Sequence, residues 1–220
     1  MNPNDGFGEL LAIENNLRRY NADIVKKMAR HFQGRRAILE FGAGIGTLAI
    51  EWQKQTKVKP ECLEIDPKRQ QIIEERGFTC YASLGAVKRK YDGIYSSNVL
   101  EHIEDDRGVL QELRSSMADG GVLALYVPAF RQLYSALDRS LGHCRRYQRA
   151  ELIEKTSSAG FQVIDCYYAD SLGVLAWFAA TWSAANLRRY DQWIYPLSRT
   201  LDELFLRRVA GKNLLLIAKK

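Results

Sequence analysis

The run Leu39-Glu40-Phe41-Gly42-Ala43-Gly44-Ile45-Gly46-Thr47-Leu48-Ala49 constrains the chain more than any other stretch. An apolar strand reads into three glycines at alternate positions, and a helix begins near Thr47. Gly42 and Gly44 let the backbone turn sharply and come up against a bound molecule. The first turn of the next helix presents N–H groups with no partner inside the helix. A nucleotide-like cofactor is the usual occupant of such a turn; the plain alternative is a tight strand-to-helix turn with no ligand. A dinucleotide fingerprint needs a third small residue three positions beyond the second glycine, where Thr47 stands, and does not usually carry an acid at the position of Glu40.

The remaining chain alternates short apolar runs with stretches of helical spacing, which predicts a parallel sheet covered on both faces. Ile24, Val25, Met28 and Phe32 recur at helical spacing before Gly34. Ala37–Phe41 reads as the first strand and ECLEI, ending before Asp66, as the second. Pro67 opens a helix that reaches about Arg76. FTCYA is a third strand, Gly93–Ser97 a fourth, Asp105–Met117 a helix, Asp119-Gly120-Gly121 a turn and VLALYVP a fifth strand. FQVIDCYYA and NLLLIAK read as strands six and seven, with a helical, apolar insert over about 170–211 between them. The expected organisation is a single domain over 1–220: N-terminal helices over 1–34, a cofactor-binding half over 35–130, and a substrate side over 131–220.

A carboxylate at the end of the second strand can accept both ribose hydroxyls of a nucleoside. Asp66 and Glu64 compete for that role. With the strand running through Ile65, Asp66 is the acid nearer its end and is the expected one.

In that order LEFGAGIGTLA, LEIDP, YDGIYSSNVLEHIEDD, the Asp-Gly-Gly turn and VLALYVPA resemble the successive motifs of class I S-adenosylmethionine-dependent methyltransferases. The resemblance implies a Rossmann-like, doubly wound α/β fold with seven strands in the order 3-2-1-4-5-7-6, strand 7 antiparallel. It implies S-adenosyl-L-methionine as cofactor, leaving S-adenosyl-L-homocysteine. Carried over by residue, Glu40 and the loop Gly42, Ala43, Gly44 and Gly46 surround the methionine moiety, and Asp66 the ribose. Asn98 and Val99 lie on the sulfonium side, and the adenine on the region of Tyr81, Ala82 and Ser83. Many relatives have an aspartate after strand 3 to receive the adenine amino group; this chain has none there, and Ser83 or backbone groups would serve.

Methyl transfer from a sulfonium is an in-line displacement, so the protein chiefly aligns donor and acceptor, with a base needed for a weakly nucleophilic acceptor. Glu101 and His102, just past strand 4, and His143, after strand 5, are the candidate catalytic residues. The plainer reading has Glu101 ordering its loop and His102 packing beside the cofactor. Arg145, Arg146 and Tyr147 are expected at the substrate, because arginine grips phosphate or carboxylate with a fork of hydrogen bonds. Their alternative is a charged helix entry in which Gln148 and Glu151 form a capping-box-like pair. The phrase VPAFRQLYSALDRSLGHCRRY more loosely resembles methyltransferases of bacterial cell-surface saccharide and lipid pathways.

Charge enters at this point. The chain carries a formal +6, and basic and acidic residues are near balance through residue 130, so the excess falls on the substrate side. An anionic acceptor or surface fits that distribution. The insert combines Trp177, Phe178, Trp182, Trp193 and Phe205 with Arg188, Arg189, Arg207 and Arg208, a mixture suited to core packing, to a substrate lid, or to peripheral membrane contact through about 171–210. Its longest apolar stretch is too short to span a bilayer. Four cysteines without paired spacing indicate neither a zinc site nor a disulfide scaffold, and no metal is expected. The opening MNPNDGFGEL lacks signal-peptide character, so a cytoplasmic protein, at the inner face of the membrane if it meets one, is expected.

The leading expectation is methyl transfer to a small or lipid-linked acceptor, at oxygen rather than nitrogen. Nucleic acid is disfavoured, since the basic residues form scattered pairs rather than a stripe with stacking aromatics. A cofactor-binding fold acting as a partner or scaffold is the alternative, and a nicotinamide oxidoreductase is disfavoured by Thr47. No sequence feature fixes an oligomeric state.

Overall fold

The computed structural model describes residues 7–174, 184–204 and 209–220. Seven strands form one sheet in the order β3-β2-β1-β4-β5-β7-β6. They are β1 (Ile38–Phe41), β2 (Glu61–Leu63), β3 (Cys80–Tyr81), β4 (Tyr91–Ser97), β5 (Met117–Pro128), β6 (Gln162–Ala169) and β7 (Asn213–Lys219). The first five pair in parallel, while β7 runs antiparallel to both β5 and β6. This is the strand order that the resemblance implied.

Strand alternation explains why both faces are covered. Along β5, Leu123, Leu125 and Val127 point into one apolar cluster, while Val122, Ala124 and Tyr126 point into another. Along β7, Leu214, Leu216 and Ala218 join the first and Leu215 and Ile217 the second. Successive side chains of a strand face opposite ways, so runs with no polar position require cover on both sides. One cover is α5 (Asp106–Ser115) and α7 (Arg149–Ser158), through Leu110, Leu113 and Leu152. The other is α2 (Arg18–Ala29) and α3 (Thr47–Thr56), through Ile24, Val25, Met28 and Trp52. Each fully buried side chain of this size contributes about 1.5–3 kcal/mol.

Two expectations change. Asp119-Gly120-Gly121 lies within β5, where the pairing with β4 jumps from Tyr91↔Met117 to Gly93↔Val122; the glycines bulge the strand instead of starting it. The second strand stops at Leu63, three residues before Asp66.

The insert carries α8 (Ala184–Arg189), a π-helical turn at Tyr190–Ile194 and α9 (Tyr195–Leu204). It is anchored by buried carboxylates. Asp191 accepts from the N–H groups of Arg19 and Tyr20 at 3.1 and 2.8 Å. Asp202 accepts from those of Asp170 and Ser171 at 2.6 and 3.0 Å. The described part of the insert is therefore packed onto α2 and the end of β6. Trp177, Phe178, Trp182, Phe205, Arg207 and Arg208 lie outside the described residues. No helix among the described residues is long and apolar enough to cross a membrane.

Candidate functional site

The strand order reverses between β1 and β4, and the loops leaving their carboxyl ends open a crevice there, the place where open α/β sheets bind ligands. Gly42–Gly46 follows β1 and Asn98–His102 follows β4. Gly42, Gly44 and Gly46 all have left-handed φ, at 75°, 58° and 80°. A Cβ on Gly42 would stand 2.3 Å from Val99 Cγ2, so the two loops touch at a point only glycine permits. Asn98, itself left-handed at φ 54°, is exposed at the crevice edge.

Glu40 lies buried beneath the loop and accepts from Tyr95 Oη at 2.9 Å. Burial, with Glu64 nearby, pushes its carboxyl up to about 8. Tyr95 stacks on Trp52 with ring centroids 4.2 Å apart, which fixes the phenol.

The acid that faces the glycine loop is Glu64. Its Oε2 accepts from the Gly44 N–H at 2.8 Å, and its Oε1 from the Ile65 and Asp66 N–H groups at 2.9 and 3.0 Å. Asp66 instead caps α4 (Pro67–Glu75), taking the N–H groups of Lys68 and Arg69 at 2.9 and 3.2 Å. The expectation for Asp66 rested on a strand running through Ile65. Because β2 ends at Leu63, the acid next to its end is Glu64. Beyond it, the Glu64 N–H bonds Tyr81 O at 3.0 Å, which puts exposed Ala82 and Ser83 next along the crevice.

One contributor was not read from the sequence. Helix α1 (Phe7–Asn16) stands over the glycine loop, with Leu10 in van der Waals range of a Cβ built on Gly44. Glu14 fixes it by taking Thr47 Oγ1 at 2.6 Å and Arg76 at 2.7 Å. Apolar Leu10, Leu11 and Ile13 were its available signal.

On the acceptor side, Glu101, His102 and His143 converge. One carboxylate oxygen and one nitrogen from each ring lie within 4.8 Å of one another. The two rings meet edge to face, 4.7 Å between centroids. Two bonds from Cys144 tie the segments, which are about forty residues apart: its backbone N–H donates to Glu101 O at 2.8 Å and its thiol Sγ to His102 O at 3.5 Å. His102 Nδ1 lies 3.2 Å from Gly142 O and His143 Nδ1 3.0 Å from Asp138 Oδ1. Both partners only accept, so Nδ1 carries the hydrogen in each ring and Nε2 the lone pair. Burial holds both imidazoles below the ordinary histidine range, and His143 is lowered further by His102. Glu101 is fully buried, its oxygens have no hydrogen-bond partner, and burial pushes it up to about 8.

Arg145, Arg146 and Tyr147, expected at the substrate, are each engaged by partners within the fold. Arg146 is 2% exposed and bonds Asp138 through Nε at 2.8 Å and Ala129 O at 3.3 Å. Tyr147 is buried in the core, its hydroxyl on Asp106 at 2.9 Å and Leu100 O at 3.1 Å. Arg145 pairs with Asp106 at 2.7 Å. The charged run is mainly a locked helix entry, with the Gln148 N–H 3.5 Å from Glu151 Oε2.

A seven-stranded sheet of this order, with a glycine loop, an acid after β2 and a polar cluster after β4, defines a Rossmann-like cofactor-dependent transferase fold. The chain matches the family described as Methyltransferase domain over residues 13–165, and belongs to it. No curated protein sequence matches. Among solved structures it is similar to a SAM-dependent methyltransferase from Archaeoglobus fulgidus, at 19% identity and TM-score 0.65 over 96% of this chain and 99% of that one. It is also similar to the Haemonchus contortus phosphoethanolamine N-methyltransferase 2 in complex with S-adenosyl-L-methionine, at 14% identity and TM-score 0.62 over 90% of this chain and 52% of that one. The cyclopropane synthase MmaA2 from Mycobacterium tuberculosis shares the fold at 15% identity and TM-score 0.60, over 90% and 83% of the two chains.

Proposed function

We propose that the chain transfers the methyl group of S-adenosyl-L-methionine to an oxygen of a small or lipid-linked acceptor. The observation that supports oxygen is the convergence, at the loop that follows Asn98 and Val99, of two imidazoles held below the ordinary histidine range, each with its Nδ1 hydrogen taken by an acceptor so that Nε2 carries the lone pair. A hydroxyl must give up its proton to become a good nucleophile, and an imidazole can take it near neutral pH.

The cofactor fits the residues present. The left-handed glycine loop, closed against Val99 at Gly42, and the Glu64 carboxylate form a cradle for a charged, hydroxyl-rich molecule. In this reading the glycine loop holds the methionine moiety and Glu64 the ribose hydroxyls. Ile65, 79% exposed, and Ala82 and Ser83 offer a surface to the adenine. Asn98 and Val99 line the sulfonium side. The cofactor supplies an activated methyl group on a positively charged sulfur. His143 accepts the acceptor's proton at Nε2 while Asp138 holds its other nitrogen. With that proton taken up, the acceptor oxygen would be the nucleophile for the methyl group that a bound cofactor would supply, its sulfur leaving with the carbon–sulfur electron pair.

A charged carboxylate holding two hydroxyls contributes roughly 3 kcal/mol, about a hundredfold in affinity. Calorimetric titration should therefore show Glu64→Ala losing at least about a hundredfold in S-adenosyl-L-methionine affinity. Asp66→Ala should stay within about threefold while lowering the melting temperature by roughly 3 °C through the lost cap. Equal losses in the two variants would overturn this assignment of the acids.

The lipid-linked option, with peripheral membrane contact through about 171–210, is supported by Trp193, Leu197 and Leu204, which are 77%, 56% and 62% exposed on one short stretch.

A further inference from the structure

We propose that Glu101, His102 and His143 together hold a divalent transition-metal cation of the zinc, cobalt or manganese kind. Cation binding stands on the geometry alone; its catalytic consequence rests on the methyl-transfer reading of the same crevice.

A fully buried carboxylate with neither oxygen hydrogen-bonded is costly to keep, and its orphaned oxygens call for a partner. Within 4.8 Å of it stand two imidazoles. Each carries the hydrogen bond that metal-bound histidines use, one ring N–H donated to a carbonyl or carboxylate, which fixes the tautomer and strengthens the other nitrogen as a ligand. For His143 that partner is Asp138, which is fully buried. Asp138 in turn accepts from Ser135 N–H at 2.8 Å and Arg146 Nε at 2.8 Å, which holds it in place. Two imidazoles and one carboxylate suit a borderline divalent cation better than calcium or magnesium, which prefer oxygen throughout. Ligand bonds of roughly 2.0–2.1 Å put ligand atoms about 3.4 Å apart. Small side-chain adjustments close the cluster to that spacing, and exposed His102 leaves one side open towards the crevice.

The neighbouring charges permit it. Arg146 is neutralised by Asp138, and Arg69 acts on His102 from α4. The acceptor side thereby gains a means of activation that the imidazoles alone lack. A ligated imidazole has no lone pair left for a proton, so the role given to His143 passes to the cation. A hydroxyl drawn onto it becomes more acidic, releases its proton to water and keeps the electron pair that bonds the methyl carbon. The proton is the only species released besides the two products.

The test uses the whole chain stripped with EDTA and titrated with Zn2+, Mn2+ and Co2+ by calorimetry, with Co2+ also followed by its visible absorption. We expect one equivalent per chain in the micromolar range or tighter for at least one ion. Glu101→Gln, His143→Ala and the exposed His102→Ala should each weaken binding at least about tenfold, and Asp138→Asn by about 10–100-fold. Absence of saturable binding of all three ions, or unchanged affinity in His102→Ala and His143→Ala, would overturn the proposal. S-adenosyl-L-methionine titration of the same stripped protein separates the two readings. Retained cofactor affinity with no cation binding removes the cation and leaves His143 as the base, whereas lost cofactor affinity with cation binding intact removes the methyl-transfer reading and leaves the cation site.

Discussion

Gly42 is where one missing carbon decides the crevice. Its φ of 75° is a conformation that side chains rarely adopt, and an added Cβ would meet Val99 at 2.3 Å. Gly42→Ala should cost about 1–3 kcal/mol, read as a lower urea midpoint, and should also weaken cofactor affinity because Val99 must move. A stable variant with normal affinity would show that the loops tolerate separation. Glu40 adds a pH dependence. Its folded carboxyl is raised from 4.5 to about 8, so the native state holds a proton there that the unfolded chain releases. Its contribution is fully present below about pH 4.5 and is lost as pH rises towards 8. The groups facing it are Tyr95, Glu64 and Cys62, and Glu101 titrates in the same window. The expected signature is therefore a difference: Glu40→Gln should lose less stability than the parent between pH 5 and 8 in denaturant melts, and parallel pH curves would refute it.

At the scale of elements, the segment between β5 and α7 is held by one buried ion pair. Asp138 also caps the short helix α6 (Ala136–Ser140), taking Ser135 N–H at 2.8 Å, so the same carboxylate orders α6 and orients His143. Arg146→Met would leave that charge buried without its cation, at a cost of about 3–5 kcal/mol. Thermal unfolding should fall by roughly 10 °C, while exposed Arg139→Met should change it by less than about 2 °C. Similar shifts in both would mean that the pair does not hold the segment. The charged run looked like a substrate grip in sequence because arginine chemistry is the same inside and outside a fold. Whether a guanidinium faces a ligand depends on which acid lies opposite, and Asp106 and Asp138 claim these two.

For the whole molecule, the positive excess after residue 130 is partly engaged within the fold. Arg145 pairs with Asp106, Arg146 with Asp138, Arg131 with Glu151, and Lys220 with Asp119. The described insert exposes Trp193, Leu197 and Leu204 beside Arg188 and Arg189, and the three apolar side chains are the part that salt does not screen. Flotation with anionic liposomes should therefore persist at 0.5 M NaCl, where exposed charges are screened over about 4 Å, and should be lost in a Trp193→Ser, Leu197→Ser, Leu204→Ser variant. Binding abolished by salt but not by these changes would point to the basic residues instead.

The strands, the two-faced sheet and the glycine loop were legible in the chain because each depends on local properties: alternation along a strand, helical periodicity, and backbone angles that only glycine enters freely; the strand order came only through the resemblance to methyltransferase motifs. The proposed preference for Glu64 over Asp66 was not, since it rests on a strand ending two residues earlier than its apolar run suggested. The cluster of Glu101, His102 and His143 needed the fold most. Nothing in the spacing of two histidines some forty residues apart marks them as neighbours; the pairing of β4 with β5, and the Cys144 bond to Glu101, bring them together. The sequence by itself determined which elements form and where a cofactor turn lies. Only the tertiary structure decided which side chains share a site, because burial and proximity arise from contacts between segments distant in the chain.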